Sequence, residues 1–141
     1  MTRVAGLLCL LLLQGNSPPA DLIVGSWHGT SLCADKQIDR ACHDEEVIYV
    51  IDSAAGPRGP VRMQADKIVN GAREPMGAFR LTYDSTGKRW FVDITMRTSM
   101  HWSFAVQRDS LLGEAREMPA RRLFRRIAVG RCRPEVTGCP K

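Results

Sequence analysis

The chain has 141 residues, of which 44% are hydrophobic and 25% are charged, and its formal net charge is +5 at pH 7. These proportions are those of an ordinary globular protein, so they exclude a disordered chain and a bundle of transmembrane helices. The length fits one domain of the usual size and excludes a multidomain enzyme.

The first twenty residues have the layout of a secretory signal peptide. Arg3 supplies a positive charge, residues 4–13 form an uncharged run, and residues 14–20 are polar with Gly and Pro. An apolar run of this length is too short to span a hydrocarbon core of ~30 Å, so no membrane anchor is expected. We therefore predict a signal peptide over 1–20 and a secreted or periplasmic protein; a buried N-terminal helix is the alternative.

Strands and turns account for nearly all of the remaining chain. Segments rich in β-branched residues or alternating with period two are separated by turn residues, of which Asn70-Gly71 is the strongest hairpin signal. The spacing leaves no room for crossover helices, so neighbouring strands should be antiparallel. The predicted strands cover 22–33, 47–52, 61–69, 78–83, 90–97, 101–107, 111–115 and 123–129.

Alternation of this quality indicates a sheet with one buried face and one wetted face. An open sheet of eight strands would expose two edges, and closure removes them. We therefore predict an all-β fold over 21–131, a single eight-stranded antiparallel up-and-down barrel, with a curled sandwich as the alternative. The predicted inward side chains are Tyr49, Ile51, Met63, Phe79, Leu81, Tyr83, Trp90, Val92, Ile94, Trp102, Phe104, Leu111, Leu123 and Ile127.

Four cysteines follow the predicted signal peptide: Cys33, Cys42, Cys132 and Cys139. An even number in a small exported domain indicates disulfides, which can pair in three ways. We favour Cys33–Cys42 and Cys132–Cys139, because the members of each pair are close in sequence, and this would tie down a C-terminal tail over 132–141. A cross-pairing between tail and first loop is the alternative. Neither spacing resembles a zinc knuckle.

Positive charge is concentrated towards the C-terminus. Two acidic residues, Glu117 and Glu135, accompany eight basic ones over 116–141. Such a cluster could meet an anionic envelope surface or an acidic protein, or it could be a solvated strand that keeps the protein soluble. Nucleic acid is not expected as a partner, because no aromatic-interleaved RNA motif occurs. The basic residues are Arg116, Arg121, Arg122, Arg125, Arg126, Arg131, Arg133 and Lys141.

The segment GSW at 25–27, which opens the first predicted strand, resembles the GxW motif of the calycin superfamily of lipocalins and avidins. The resemblance implies a barrel in which Trp27 packs across one end and an arginine of the last strand stacks over it. Arg125 is the expected arginine, since its facing fits better than that of Arg126, and such a contact gains roughly 0.5–2 kcal/mol. The segments GTSLC, ACHDE and ADKIVNG also resemble a group of small exported bacterial proteins, a likeness that implies no activity.

Motifs for catalysis or metal binding are scarce. The chain has no GxSxG, HExxH or P-loop pattern, so no catalytic residue is predicted and the protein is expected not to be an enzyme. Residues 42–46 (CHDEE) place an imidazole beside carboxylates, but they lack the spacing of a calcium loop and are interpreted as a solvated acidic loop. No metal and no cofactor are predicted.

Three functions are compatible with these observations. The first is a carrier that holds a small apolar or amphipathic ligand in the barrel. The second is a protein-binding module with a filled barrel, similar to exported metalloprotease inhibitors that insert an N-terminal segment. The third is an envelope protein held to anionic lipid or glycan by its basic C-terminal region. A monomer is expected, and the predicted ligand-binding residues are Tyr49, Phe79, Tyr83, Trp90, Trp102 and Phe104.

Overall fold

The computed structural model describes residues 20–53 and 59–140. The predicted signal peptide, apart from Ala20, therefore lies outside the described residues. The fold consists of one helical turn and eight strands. They are α1 (Ala20–Ile23), β1 (Gly25–Cys33), β2 (Glu45–Asp52), β3 (Val61–Val69), β4 (Ala72–Asp84), β5 (Arg89–Thr95), β6 (Ser99–Gln107), β7 (Ser110–Glu117) and β8 (Arg122–Arg131).

Each strand pairs with the next in antiparallel register, and β8 pairs with β1 to close the barrel. The predicted eight-stranded antiparallel up-and-down barrel is thus confirmed. Its two ends differ, and we name them for the residues found there. The Trp27 end contains the start of β1 and the end of β8, and the Met96 end contains the β1–β2 loop and the β5–β6 turn. No helix in the described ranges is long and apolar enough to cross a membrane.

The first strand begins later than predicted, because residues 20–23 form a helical turn that packs on the barrel. Ile23 is fully buried, and its carbonyl accepts a hydrogen bond of 2.8 Å from Nε1 of Trp27. Gly25, with φ of 133°, then directs the chain into β1, and a side chain there would collide with the guanidinium of Arg131. A glycine is therefore needed at this reversal.

The fourth strand is longer than predicted, since it starts at Ala72 and not at 78. Because Pro75 and Gly77 interrupt the period-two alternation of apolar and polar residues, the sequence pattern did not indicate the first half of this strand. The register shifts opposite Ala65 and Asp66 of β3, and this β-bulge leaves Met76 of β4 without a partner on β3. Pro75 is tolerated because this half of β4 pairs only with β3, as on a sheet edge.

The contact between β4 and β5 is the shortest in the barrel wall. Only residues 82–84 of β4 pair with residues 89–91 of β5, next to the Trp27 end. Towards the Met96 end, β4 pairs only with β3 and β5 pairs only with β6. The wall is therefore less constrained by hydrogen bonds on the side where Ile94 and Trp102 lie.

Large aromatic side chains fill the middle of the barrel. Trp27, Tyr49, Trp90 and Phe104 are almost or completely buried. The rings of Tyr49 and Phe104 meet edge to face with centroids 6.0 Å apart. Gly113 lies opposite Phe104, and a Cβ there would approach the ring to 2.6 Å, so this glycine makes room for the phenyl group. The centre of the barrel is a packed core.

The arginine that stacks over Trp27 is Arg131, and the prediction of Arg125 is wrong. The guanidinium carbon of Arg131 lies 3.9 Å from the ring centroid of Trp27, and its Nη1 donates to the carbonyl of Val24 at 2.6 Å. The reason is register. In the antiparallel pair, Trp27 at the start of β1 lies beside Arg131 at the end of β8, whereas Arg125 lies beside Cys33 at the other end.

Both favoured disulfides are present, Cys33–Cys42 and Cys132–Cys139. The first closes the β1–β2 loop at the Met96 end. The second holds the segment after β8 in a compact loop, so that Gly138 packs against Ile48 on the outer face of β2. Ile48 is consequently fully buried although its neighbours Val47 and Tyr49 are the ones that point into the barrel.

Candidate functional site

A buried ion pair lies inside the barrel near the Met96 end. Nη1 of Arg125 is 3.2 Å from Oε2 of Glu45, and both side chains are largely shielded from solvent. The same nitrogen donates to the carbonyl and hydroxyl oxygens of Ser31 and to the carbonyl of His43, each at 3.2 Å. Arg125 thus joins β8 to β1 and to the start of β2. Glu45, interpreted from the sequence as part of a solvated loop, instead neutralises a buried cation.

Tyr49 lies close to this pair and has an unusual polar atom. Its hydroxyl is buried and has no hydrogen-bond partner among the described residues. Burial raises the pKa of the Tyr49 phenol above its usual value, while the positive charge of Arg125 lowers it and the negative charge of Glu45 raises it. Tyr49 is therefore a protonated, neutral core residue at physiological pH.

We expect Tyr49→Phe to leave the free energy of unfolding at neutral pH unchanged or to raise it by about 1 kcal/mol, because the lost hydroxyl has no partner. In the wild type, titration of Tyr49 does not lower the free energy of unfolding below the unfolded pKa of 10.0, because the phenol is protonated in both states. Above that pH the unfolded chain loses the proton first, so stability falls as pH rises.

Urea unfolding at a series of alkaline pH values measures this effect. The Tyr49→Phe variant should lose less stability than the wild type as the pH rises above about 10. An identical alkaline decline in both proteins, or a loss at neutral pH greater than about 1 kcal/mol, would contradict the assignment.

An apolar pocket opens at the Met96 end of the barrel. It has a volume of about 330 Å³, close to the lower limit of about 300–1,000 Å³ that is usual for ligand sites. Trp102 and Met100 of β6 and Ile94 of β5 form its inner wall. The lining residues are Asp39, Ile94, Met96, Arg97, Thr98, Met100, Trp102 and Phe124.

Phe124 reaches this pocket because of a β-bulge. Ala115 of β7 pairs with Arg125 and Arg116 pairs with Leu123, so that Phe124 between them has no partner on β7. Its ring also lies 5.3 Å from the guanidinium carbon of Arg125. The apolar pocket and the buried ion pair are therefore neighbours, with Phe124 between them.

The rim of the pocket combines a constrained loop with exposed side chains. Asp39 belongs to the β1–β2 loop, which the Cys33–Cys42 disulfide and a 2.9 Å bond from the backbone N–H of Ala41 to Asp39 hold in place. Met96, in the β5–β6 turn, is 75% exposed, which is more than any other large apolar side chain of the described residues. A flexible thioether beside a preformed wall suits ligands of varied shape.

The six predicted ligand-binding residues do not come together in one site. Tyr49, Trp90 and Phe104 are packed in the core and offer no surface to a ligand. Trp102 alone lines the apolar pocket, where it also contacts Phe79 with ring centroids 5.7 Å apart. Phe79 borders a small depression that is separate from the apolar pocket, and Tyr83 borders a groove on the outer wall.

Several pocket residues were not predicted from the sequence. Met96 was predicted to lie within the fifth strand, over 90–97, but that strand ends at Thr95 and leaves Met96 in a turn. Phe124 alternates with inward residues in the sequence and enters the pocket only because of the bulge. Asp39 lies in a loop without a motif. The one sequence feature that pointed to this part of the pocket was the position of Phe124 next to an arginine in the last strand.

Among the described residues, the histidines and their acidic partners lie apart from one another. His28 pairs with Glu46 at 2.6 Å, and His101 pairs with Asp93 at 2.7 Å, each on the outer wall. Within residues 20–53 and 59–140, no group of three or more His, Cys, Asp or Glu side chains is placed to hold a metal ion.

The basic C-terminal region does not form one continuous charged face. Arg125 and Arg131 are committed to the interior contacts described above. Arg116 pairs with Glu114 at 2.8 Å, and Arg122 pairs with Glu117 at 2.5 Å. Four of the eight basic groups counted in the sequence therefore have partners, two of them in the interior and two in ion pairs with β7.

No family model matches this chain, and no curated protein or solved structure shows significant similarity to it.

Proposed function

We propose that the protein is a non-enzymatic exported binding protein that holds one small apolar or amphipathic molecule in the pocket at its Met96 end. The observation that carries the proposal is the contrast between the two ends of the barrel. Arg131 and the helical turn α1 cover the Trp27 end, whereas Trp102, Met100 and Ile94 line an unfilled apolar space at the other. Apolar surface left accessible in a concave site favours an apolar ligand.

The composition of the pocket supports a ligand that is mostly apolar with a polar edge. Trp102, Met100, Ile94 and Phe124 would contact the apolar body. Thr98, Arg97 and Asp39 lie on the same lining and would meet the polar part. Because Glu45 neutralises Arg125, the ion pair next to Phe124 does not require an ionic ligand.

The disulfides support the exported setting, since such bonds persist in oxidising compartments. The stacking of Arg131 on Trp27 supports kinship with calycins, which stays a prediction. The two other predicted roles also stay predictions. A protease-inhibiting arm would lie in residues that the structure does not describe, and an anionic envelope surface would have to meet the arginines that are not engaged in the barrel.

Binding of N-phenyl-1-naphthylamine, an apolar dye whose fluorescence rises in apolar sites, tests the proposal. We expect saturable binding by the wild type. Met96→Asp should weaken it at least about tenfold, which corresponds to about 1.4 kcal/mol, because a carboxylate would have to lose water beside the dye. The exposure of Met96 makes the substitution compatible with folding.

Leu112→Asp is the matched control, because Leu112 is an exposed leucine on the outer wall of β7, outside the pocket. It introduces the same charge and should change the dye affinity less than about twofold. Equal weakening by both variants, or an absence of saturable binding, would refute the pocket as the ligand site.

A further inference from the structure

A second depression lies on the outer wall of the barrel, over β4 to β7. It has a volume of about 800 Å³ and shares no residue with the apolar pocket. A cross-strand row forms its floor, in which Thr82 pairs with Phe91, Phe91 with Ser103, and Ser103 with Glu114. Small side chains at Thr82 and Ser103 lie among larger neighbours, which makes this part of the wall concave. We call it the outer groove.

The acidic side chains of the outer groove already have partners. Oε2 of Glu114 accepts hydrogen bonds from Nε of Arg116 at 2.9 Å and lies 2.8 Å from Nη2 of the same side chain. Asp84 accepts backbone N–H groups of Thr86 and Gly87 at 3.0 and 3.1 Å, within the β4–β5 turn. Arg116 therefore neutralises Glu114, whereas Asp84 binds only neutral N–H groups of its own turn and keeps its negative charge.

Two arginines of the groove retain unused hydrogen-bond donors. Nη2 of Arg89 makes one long contact of 3.4 Å with the carbonyl of Ser103, and its Nε is buried without a partner in the described part of the chain. Arg121 accepts a bond at its carbonyl from Arg116, but its guanidinium has no ion pair with any described residue. A guanidinium carries five N–H donors in a fork that fits carboxylate and phosphate oxygens.

A pair of stacked rings lines the same groove as these arginines. The rings of Phe91 and His101 stack with centroids 5.6 Å apart and an angle of 26° between their planes. His101 is fixed in this position by its 2.7 Å contact with Asp93. The groove thus contains unused cationic donors beside a partly exposed pair of stacked rings.

We propose that the outer groove binds a soluble, sugar-sized molecule through a carboxylate or phosphate group. Arg89 is the principal contact to the oxyanion, Arg121 adds a second positive charge, and the Phe91–His101 stack supports the ring. This site is independent of the apolar pocket and goes beyond the function proposed above, because a ligand there would be polar and anionic.

Amide NMR titrations with glucuronate, glucose 6-phosphate and glucose test this inference and separate the two oxyanions. Both acidic sugars should shift the amide signals of Phe91 and Ser103, with affinities at least about tenfold higher than that of glucose. The tighter of the two identifies whether the groove prefers a carboxylate or a phosphate. Affinity for glucose equal to that for both acids would overturn the proposal.

Variants separate a specific contact from general attraction to a basic protein. Arg89→Gln should weaken the preferred acidic sugar at least about tenfold, whereas Arg89→Lys, which keeps the charge without the fork, should have an intermediate effect. Arg40→Gln is the matched control, since Arg40 is exposed in the β1–β2 loop outside the groove.

The control should change the affinity less than about twofold, because exposed charges far from a ligand are screened by salt. Spectra of all variants that match the wild type away from the groove would show that the fold is retained. If Arg40→Gln weakened binding as much as Arg89→Gln, the attraction would be diffuse and the assigned contact would be wrong.

Discussion

Trp27→Ala is expected to lower the free energy of unfolding by about 3–5 kcal/mol, the usual cost of truncating a buried tryptophan. Trp27 is fully buried, donates a hydrogen bond to Ile23, and lies beneath the guanidinium of Arg131. The substitution would leave a cavity, remove the stacked partner of Arg131, and free the helical turn α1 from the barrel. Three contacts that close the Trp27 end would be lost together.

Urea unfolding followed by circular dichroism measures this loss. Trp102→Ala is the matched control, because it removes the same side chain from the partly exposed wall of the apolar pocket. It should cost less than Trp27→Ala, since solvent can occupy the space that it leaves. Equal losses, or an unchanged unfolding free energy for Trp27→Ala, would contradict the assignment of Trp27 as the residue that closes one end.

Arg125→Met is expected to lower the free energy of unfolding by about 3–5 kcal/mol, because Glu45 would remain as a shielded carboxylate without its cation. The apolar stem of Met occupies similar space, so the effect arises from the charge and from the hydrogen bonds to Ser31 and His43. Adding Glu45→Gln to this variant should restore part of the loss, since the uncompensated charge disappears.

Thermal and urea unfolding of the single and double variants give the coupling between the two residues. Arg126→Met is the control, because Arg126 is the exposed neighbour of Arg125 on β8 and should change stability by no more than about 0.5 kcal/mol. A double variant that is as unstable as Arg125→Met alone would show that the ion pair does not account for the loss.

The barrel could be predicted because the sequence patterns that indicate its strands and hairpins are local. Period-two alternation around Trp90 and Trp102 indicates strands with one buried face, and Asn70-Gly71 indicates a hairpin without reference to the rest of the chain. The disulfides follow the same logic, as each joins cysteines that the β1–β2 loop or the C-terminal segment keeps close. Closure then follows from the number of strands and the cost of exposed edges.

The site depends on relations between distant segments, which local patterns do not contain. Arg125 and Arg131 point to the same side of β8, and only the β1–β8 register shows which of them meets Trp27. The Glu45 side chain points inward because it pairs with Arg125, some eighty residues later in the chain. Phe124 enters the pocket through a bulge whose position is set by pairing with β7. Of the six aromatic residues predicted to bind a ligand, Trp102 therefore lines the apolar pocket, whereas Tyr49, Trp90 and Phe104 pack in the core.

The two ends of this barrel differ in a way that bears directly on function. At the Trp27 end, the helical turn α1, the indole of Trp27 and the guanidinium of Arg131 pack against one another. At the Met96 end, β4 and β5 are not paired with each other, Met96 is exposed, and an apolar space lies beside Trp102. We propose that this space, and not the middle of the barrel, receives a ligand.

Methyl NMR of the methionines tests that claim most directly. The chain has six methionines, and three report on defined places: Met96 and Met100 in the pocket, and Met63 in the core. On saturation with N-phenyl-1-naphthylamine, the methyl signals of Met96 and Met100 should shift while that of Met63 stays in place. A shift of Met63 without shifts of Met96 and Met100 would place the ligand inside the barrel core and contradict the account.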